Sequence, residues 1–254
     1  MPIVVPVTDL GGEIKLGSML FTMVEPHRGH EVAYNRWYER DHFYAGCMVG
    51  PWLFAGRRFV ATRALKDLRF GSRPDLFGGR DLGSYLSMYW ILDGRHDEHV
   101  DWALRQVHWL HEHGRMFAER DHIHTLMYEL AWVTGGVPAE LALDHPFGGL
   151  TTTAVQLRDG VTADDLATWV AALRPELELG FTPIPLPADA PVTQARVEGH
   201  VLNLSFTTKD PSTWWDQQHA AADQLERDGI GTMLWTAPFI PTIPGTDTYT
   251  DELW

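Results

Sequence analysis

The order of strands and helices is written twice along this chain, and that repetition limits the fold more than any other feature of its 254 residues. Ser18–Val24 is a short apolar run closed by Glu25-Pro26, the mark of a strand. A helix follows from about Gly29 to Tyr44, then a strand from Trp52 to Ala64, a Gly-, Asp- and Arg-rich loop from Arg69 to Gly83, and a strand from Tyr85 to Leu92. A second helix spans Asp97–His113, with Val100, Ala103, Leu104, Val107 and Leu110 at helical spacing, and a fourth strand runs from His124 to Val133. Gly135-Gly136 breaks the chain. The order then starts again, with a strand at Leu150–Leu157 and a helix opened by Thr162-Ala163-Asp164-Asp165 in the manner of a capping box. A strand is expected at Val192–Val197 and another at Val201–Thr207. Asp210-Pro211-Ser212 caps a helix through about Arg227, and Thr232–Phe239 is the last strand before a Pro/Thr-rich tail.

Each half thus reads β-α-β-β-α-β, the split βαβ or ferredoxin-like unit. A sheet with helices on one side leaves its other face bare, and two such sheets can cover each other. The expected fold is α+β, with two ferredoxin-like units packed sheet to sheet. The expected segments are an N-terminal arm at 1–17, a first unit at 18–135 and a second at 136–254.

The first helix carries the candidate chemistry. At about 100° per residue, Glu31, Asn35, Tyr38 and His42 fall in one arc, while Arg36, Glu39 and Arg40 project to the other side as a solvated face. A carboxylate, an amide, a phenol and an imidazole on the buried side each need a partner, since an unpaired buried polar group costs about 1–3 kcal/mol. His42 is the candidate general acid/base, Tyr38 and Asn35 the donors to a developing enolate oxygen, and Glu31 the group that orients His42 or is itself the base. Tyr34, Trp37, Asp41, Trp90 and His124 are the candidate substrate contacts. A satisfied polar network that merely ties helix to sheet explains the same stripe. The helix around Trp169 in the second half has no matching stripe, so the site is expected in the first half alone.

The net charge of −14 argues against nucleic acid and anionic membranes as partners. No apolar run reaches the ~18 residues of a membrane span. The lone Cys47 excludes an internal disulfide, fits a reducing compartment, and with no secretory signal evident places the chain in the cytoplasm. Histidines 108, 111, 113, 122 and 124 lack the carboxylate or Cys that would complete a zinc spacing, so no metal is expected; His122 and His124 are read on one face of their strand.

The run Tyr34-Asn35-Arg36-Trp37-Tyr38 to His42, followed by Gly50-Pro51 and Arg57-Arg58-Phe59, resembles the first helix and second strand of dimeric α/β-barrel proteins, the EthD-like group above all. The resemblance covers about residues 18–133 well and 150–240 by topology. Here Phe43-Tyr44-Ala45 follows His42, where the family usually has a Pro close behind. The resemblance implies an internal barrel made by tandem duplication. It also implies an enzyme of cyclase, isomerase or lyase type acting without cofactor on a hydrophobic, carbonyl-bearing small molecule. Two alternatives stand beside it, a haem enzyme with a helix histidine as axial ligand and a non-catalytic binding or structural module. A homodimer is a further expected assembly.

Overall fold

The computed structural model describes residues 13–185 and 199–254. Eight strands form one closed antiparallel barrel in the order β1-β3-β2-β8-β5-β7-β6-β4. In chain order these are β1 (Leu16–Pro26), α1 (Glu31–Trp37), β2 (Leu53–Val60), the short α2 (Arg63–Asp67), β3 (Tyr85–Leu92), α3 (His96–Glu112) and β4 (Arg120–Gly135). The second series is β5 (Gly149–Leu157), α4 (Ala163–Ala172), β6 (Leu177–Pro183), β7 (His200–Thr207), α5 (Trp215–Arg227) and β8 (Gly231–Pro241). The α+β expectation of two like-ordered halves closed sheet on sheet holds. No helix among the described residues is long and apolar enough to cross a membrane.

Alternation along each strand decides which side chains enter the barrel. Met19, Phe21 and Met23 of β1, Leu86, Met88 and Trp90 of β3, Leu177, Leu179 and Phe181 of β6, and Leu202, Leu204 and Phe206 of β7 share one fully enclosed core. The outer faces carry separate cores under the helices. Tyr34, Tyr38, Val60 and Tyr85 form one with Leu253, and Trp132, Val155, Leu166, Val170 and Leu225 form the other.

The two seams between the halves differ. The β4–β6 seam runs from Tyr128↔Pro183 to Gly135↔Leu177, whereas β2 and β8 pair only at Phe59↔Pro241 and Val60↔Ile240.

Several local expectations change. The second strand of the second half is β6, because Leu177, Leu179 and Phe181 supply the inward alternation. The strand expected at 192–197 lies outside the described residues. Thr162 and Asp165 form the expected reciprocal cap on α4. Asp210 caps a single 3₁₀ turn, Pro211–Trp214, ahead of α5. A bulge between Met23 and Val24 sets His122 and His124 on opposite faces of β4. His124 packs edge-on to Phe21 inside the barrel, and His122 bonds Thr125 outside.

Candidate functional site

The helix at the centre of the sequence reading changes pitch part-way. It is α-helical only to Trp37, and Tyr38–Met48 continues as a π-helical run. Wider turns with i→i+5 bonds rotate each later side chain away from its α-helical bearing. One consequence is Glu39. Instead of lying on the solvated face, its side chain is 13% exposed, Oε2 accepts from Gly245 N at 2.9 Å, and Oε1 is buried with no hydrogen-bond partner.

Opposite Glu39 lies Arg58 of β2, whose side chain is 3% exposed. Its neighbour Arg57 points to the other face and reaches the carbonyls of Leu143, His145 and Phe147. The Arg58 guanidinium carbon sits 3.9 Å from the ring centre of Tyr85, 4.7 Å from Tyr38 and 5.2 Å from Tyr34. Such faces hold a desolvated cation through the ring quadrupole, at up to about 2 kcal/mol each. Nη1 donates to Asn35 Oδ1 at 2.6 Å and lies 3.7 Å from Glu39 Oε1, while Nε and Nη2 are buried with no partner.

Next to this cage the hydroxyls of Tyr38 and Tyr89 meet at 2.5 Å. Burial drives both phenol pKa values upward, so both stay protonated at neutral pH. Burial also pushes the Cys47 thiol up to about 12, which leaves it a poor nucleophile. Gly56 makes the close fit of helix to sheet: a Cβ there would come within 2.6 Å of Met48 Sδ and 2.8 Å of the Tyr89 ring. A cavity of about 200 Å³ opens beside these groups, and Tyr38, Glu39, Phe43, Tyr44, Arg58 and Pro244 are among the residues that line it.

The expected site residues are scattered by this geometry. Tyr38 lines the cavity. Tyr34 is part of the aromatic cage. Asn35 is spent on structure, since Nδ2 donates to Thr246 O at 2.8 Å while Oδ1 holds Arg58. Glu31 accepts from Gly29 N and from Trp254 Nε1 at 2.7 Å, at the edge of the C-terminal segment. His42 stacks on Trp37 with ring centres 4.5 Å apart, Trp37 Nε1 donates to Arg115 O at 2.9 Å, and Asp41 pairs with Arg115. Trp90 and His124 do not join the others. Both face the barrel interior, Trp90 donating to Ala139 O at 3.0 Å and His124 bonded to the Tyr128 hydroxyl at 2.9 Å. Glu39, Arg58 and Tyr89 are the groups the sequence reading passed over. The Arg57-Arg58-Phe59 strand was its only pointer to them.

Comparison with solved structures gives the fold and nothing finer. The chain is similar to a provisionally assigned chlorite dismutase, with 10% identity over 95% of this chain and all of that one, at a TM-score of 0.53. It is similar also to a provisionally assigned monooxygenase of Fusobacterium nucleatum, at 11% identity over 89% of this chain and 92% of that one, with a TM-score of 0.49. A third likeness is a Rhodococcus jostii DypB variant in complex with haem, at 8% identity over 94% and 95% of the two chains, with a TM-score of 0.49. The fold is therefore that of the dimeric α/β-barrel proteins. No family model matches the sequence, and no curated protein does.

The haem complex overturns one expectation, that of no cofactor as a consequence of the fold. In this chain the residue that fits a haem ligand chemically is His42. Burial, then the Arg120 cation and His122, lower its pKa to about 4, so the imidazole is neutral at pH 7, and Nδ1 has no partner. Gly46 makes the cradle for that ring, because a Cβ there would lie 2.8 Å from His42 Cε1. Among the described residues no group of three or more His, Cys, Asp or Glu could hold a metal ion.

Proposed function

We propose that the chain is an enzyme that moves a proton on a carbonyl-bearing small molecule held in the Tyr38–Arg58 cavity, within the EthD-like group that residues 34–59 resemble. The observation that carries this reading is Glu39, a cavity-lining carboxylate with one buried oxygen that accepts no hydrogen bond and has only the Arg58 cation near it, at 3.7 Å. That oxygen takes a proton from the carbon next to the carbonyl. The protonated Tyr38–Tyr89 pair donates to the oxygen on which charge develops. Glu39 becomes neutral as the enolate forms, and the fixed cation of Arg58 lies beside the new negative charge. Return of the proton to another atom completes an isomerisation, and attack of the enolate carbon on a second carbonyl completes a cyclisation. Phe43 and Tyr44 supply the apolar wall. Deuterium exchange tests the reading: a panel of 2-oxo acids and 1,3-diketones in D₂O is followed by proton NMR. At least one compound should exchange, and Glu39→Gln should slow it about 10²–10⁴-fold, the usual worth of a general base. A panel in which nothing exchanges faster than buffer sinks the proposal.

A second reading rests on His42, whose neutral imidazole with an unpartnered nitrogen is a ligand in waiting. Haem bound there would supply one-electron and dioxygen chemistry. His42 would ligate, Trp37 would hold the imidazole by stacking, and Arg120, 4.9 Å over the Trp37 ring, would meet a carboxylate. Titration with hemin should give a sharpened, shifted Soret band in the wild type and not in His42→Ala. Identical spectra for the two would end this reading.

A further inference from the structure

Four arginines in this protein hold an aspartate through one edge of the guanidinium, while Arg95 meets Glu98, and Arg63 meets Asp81 as a second partner, through Nη1. Arg36 grips Asp247 with Nε and Nη2, Arg63 grips Asp67, Arg73 grips Asp75 and Arg115 grips Asp41, in every case through the same Nε/Nη2 edge. That edge is a planar two-pronged donor whose spacing matches the two oxygens of a carboxylate. Arg58 is more deeply buried than these four, and its Nε and Nη2 are the two nitrogens with no acceptor. Its remaining options are closed. The guanidinium lies against the rings of Tyr85, Tyr38 and Tyr34, and Nη1 is taken by Asn35. Two donor nitrogens kept from water without acceptors cost about 1–3 kcal/mol each, and a bound group that accepts from both reduces that cost.

We infer that the Nε/Nη2 edge of Arg58 is the docking point for a carboxylate of the ligand, so that the cavity takes small, largely apolar monocarboxylates. The inference rests on the cavity proposed above and narrows its substrate to oxo-acids. The carboxylate anchors on Arg58, and the carbonyl, further along the same molecule, meets the Tyr38–Tyr89 hydroxyls. The aromatic walls Phe43 and Tyr44 suit a flat or branched apolar body between the two ends.

Benzoate and its neutral counterpart benzamide are the probes, with binding to the wild-type chain measured by calorimetry. Benzoate should bind at least 10-fold more tightly than benzamide, and Arg58→Gln should erase that preference. Because Arg58 is buried, Arg58→Gln is read beside Pro244→Trp, which fills the cavity mouth from an exposed residue. That variant should lose benzoate with an unchanged melting temperature. Equal affinity for the two probes, no binding of either, or undiminished benzoate binding by Pro244→Trp would each overturn the inference. Glu39→Gln separates this result from the proton-transfer reading. It should bind benzoate at least as tightly as wild type, since a like charge is gone, while losing exchange. Benzoate binding without any exchange leaves the anchor standing and removes the enzyme. Exchange without a carboxylate preference does the reverse.

Discussion

Asn35 is engaged at both ends of its amide, to Thr246 O on one side and Arg58 Nη1 on the other. Replacing it with Ala strips a buried cation of its neutral acceptor and removes the tie to the Thr246 carbonyl. Asn35→Ala should therefore cost about 1–3 kcal/mol in denaturant unfolding. An unchanged midpoint would show that water takes over both bonds. The aligned polar residues on the helix announced that Asn35 and Tyr38 would be buried, as they are. They could not announce the partners, because Thr246 lies 211 positions away and Tyr89 lies 51 away. Periodicity reports which side of a helix is covered, never what covers it. Glu39 was misplaced for a different reason. An α-helical bearing of about 100° per residue sends Glu39 to the solvated face, and the chain leaves that pitch one residue earlier, at Tyr38.

At the scale of elements, the π-helical run sets the position of His42. Gly46 lies against the imidazole, so Gly46→Ala forces a Cβ to within 2.8 Å of Cε1 unless the ring moves. The ring should slide off Trp37, which a changed chemical shift of the Trp37 indole N–H would report; an unmoved resonance would mean that the helix backbone yields instead. The C-terminal segment is the second element whose role was hidden. Its prolines and threonines read as a tail, yet it straps α1 to the barrel. Asp247 pairs with Arg36, Trp254 Nε1 bonds Glu31 and stacks between Arg28 and Lys66, and Leu253 is fully buried with Tyr34 and Tyr85. Leu253→Ala should behave as a core truncation, costing about 2–5 kcal/mol in a denaturant melt, although it is the penultimate residue. A cost below about 0.5 kcal/mol would show the strap to be ornamental. Strand order was legible because alternation and Gly/Pro punctuation are local. The weak signals were β6, where a short helix and a proline adjoin the strand, and this strap, which carries no period at all.

For the whole molecule, buried histidines set the acid limit. The pKa values of His42 and His99 fall to about 4 and that of His124 to about 3, in each case chiefly through burial. The unfolded chain would bind these protons from about pH 6.5 downward while the native chain refuses them, so their contribution is complete above 6.5 and is lost as pH falls towards 4. Glu178 works the other way. Burial pushes its pKa up to about 7, so its contribution is complete below about 4.5 and is lost as pH rises through 7. The melting temperature should fall between pH 6.5 and 4.5, the lowered histidines, His122 among them, outweighing the raised carboxyls of Glu178 and Glu25, and Glu178→Gln should steepen that fall. A melting temperature that rises on acidification would refute the assignment. Closure of the eight strands was legible from the doubled element order, whereas the inequality of the two seams was not, because it depends on how far β8 runs past β2. That inequality gives the barrel a preferred place to come apart. Parting β2 from β8 sacrifices two rungs and the Thr242 N–Arg58 O bond, far less than the β4–β6 side demands. The strap is the continuation of β8, so once its own ties to α1 are released, tension applied at Trp254 would pass to this seam before the β4–β6 one and lay the Arg58 cage open. The route by which a molecule could reach that cage is thus built into the weakest joint of the wall.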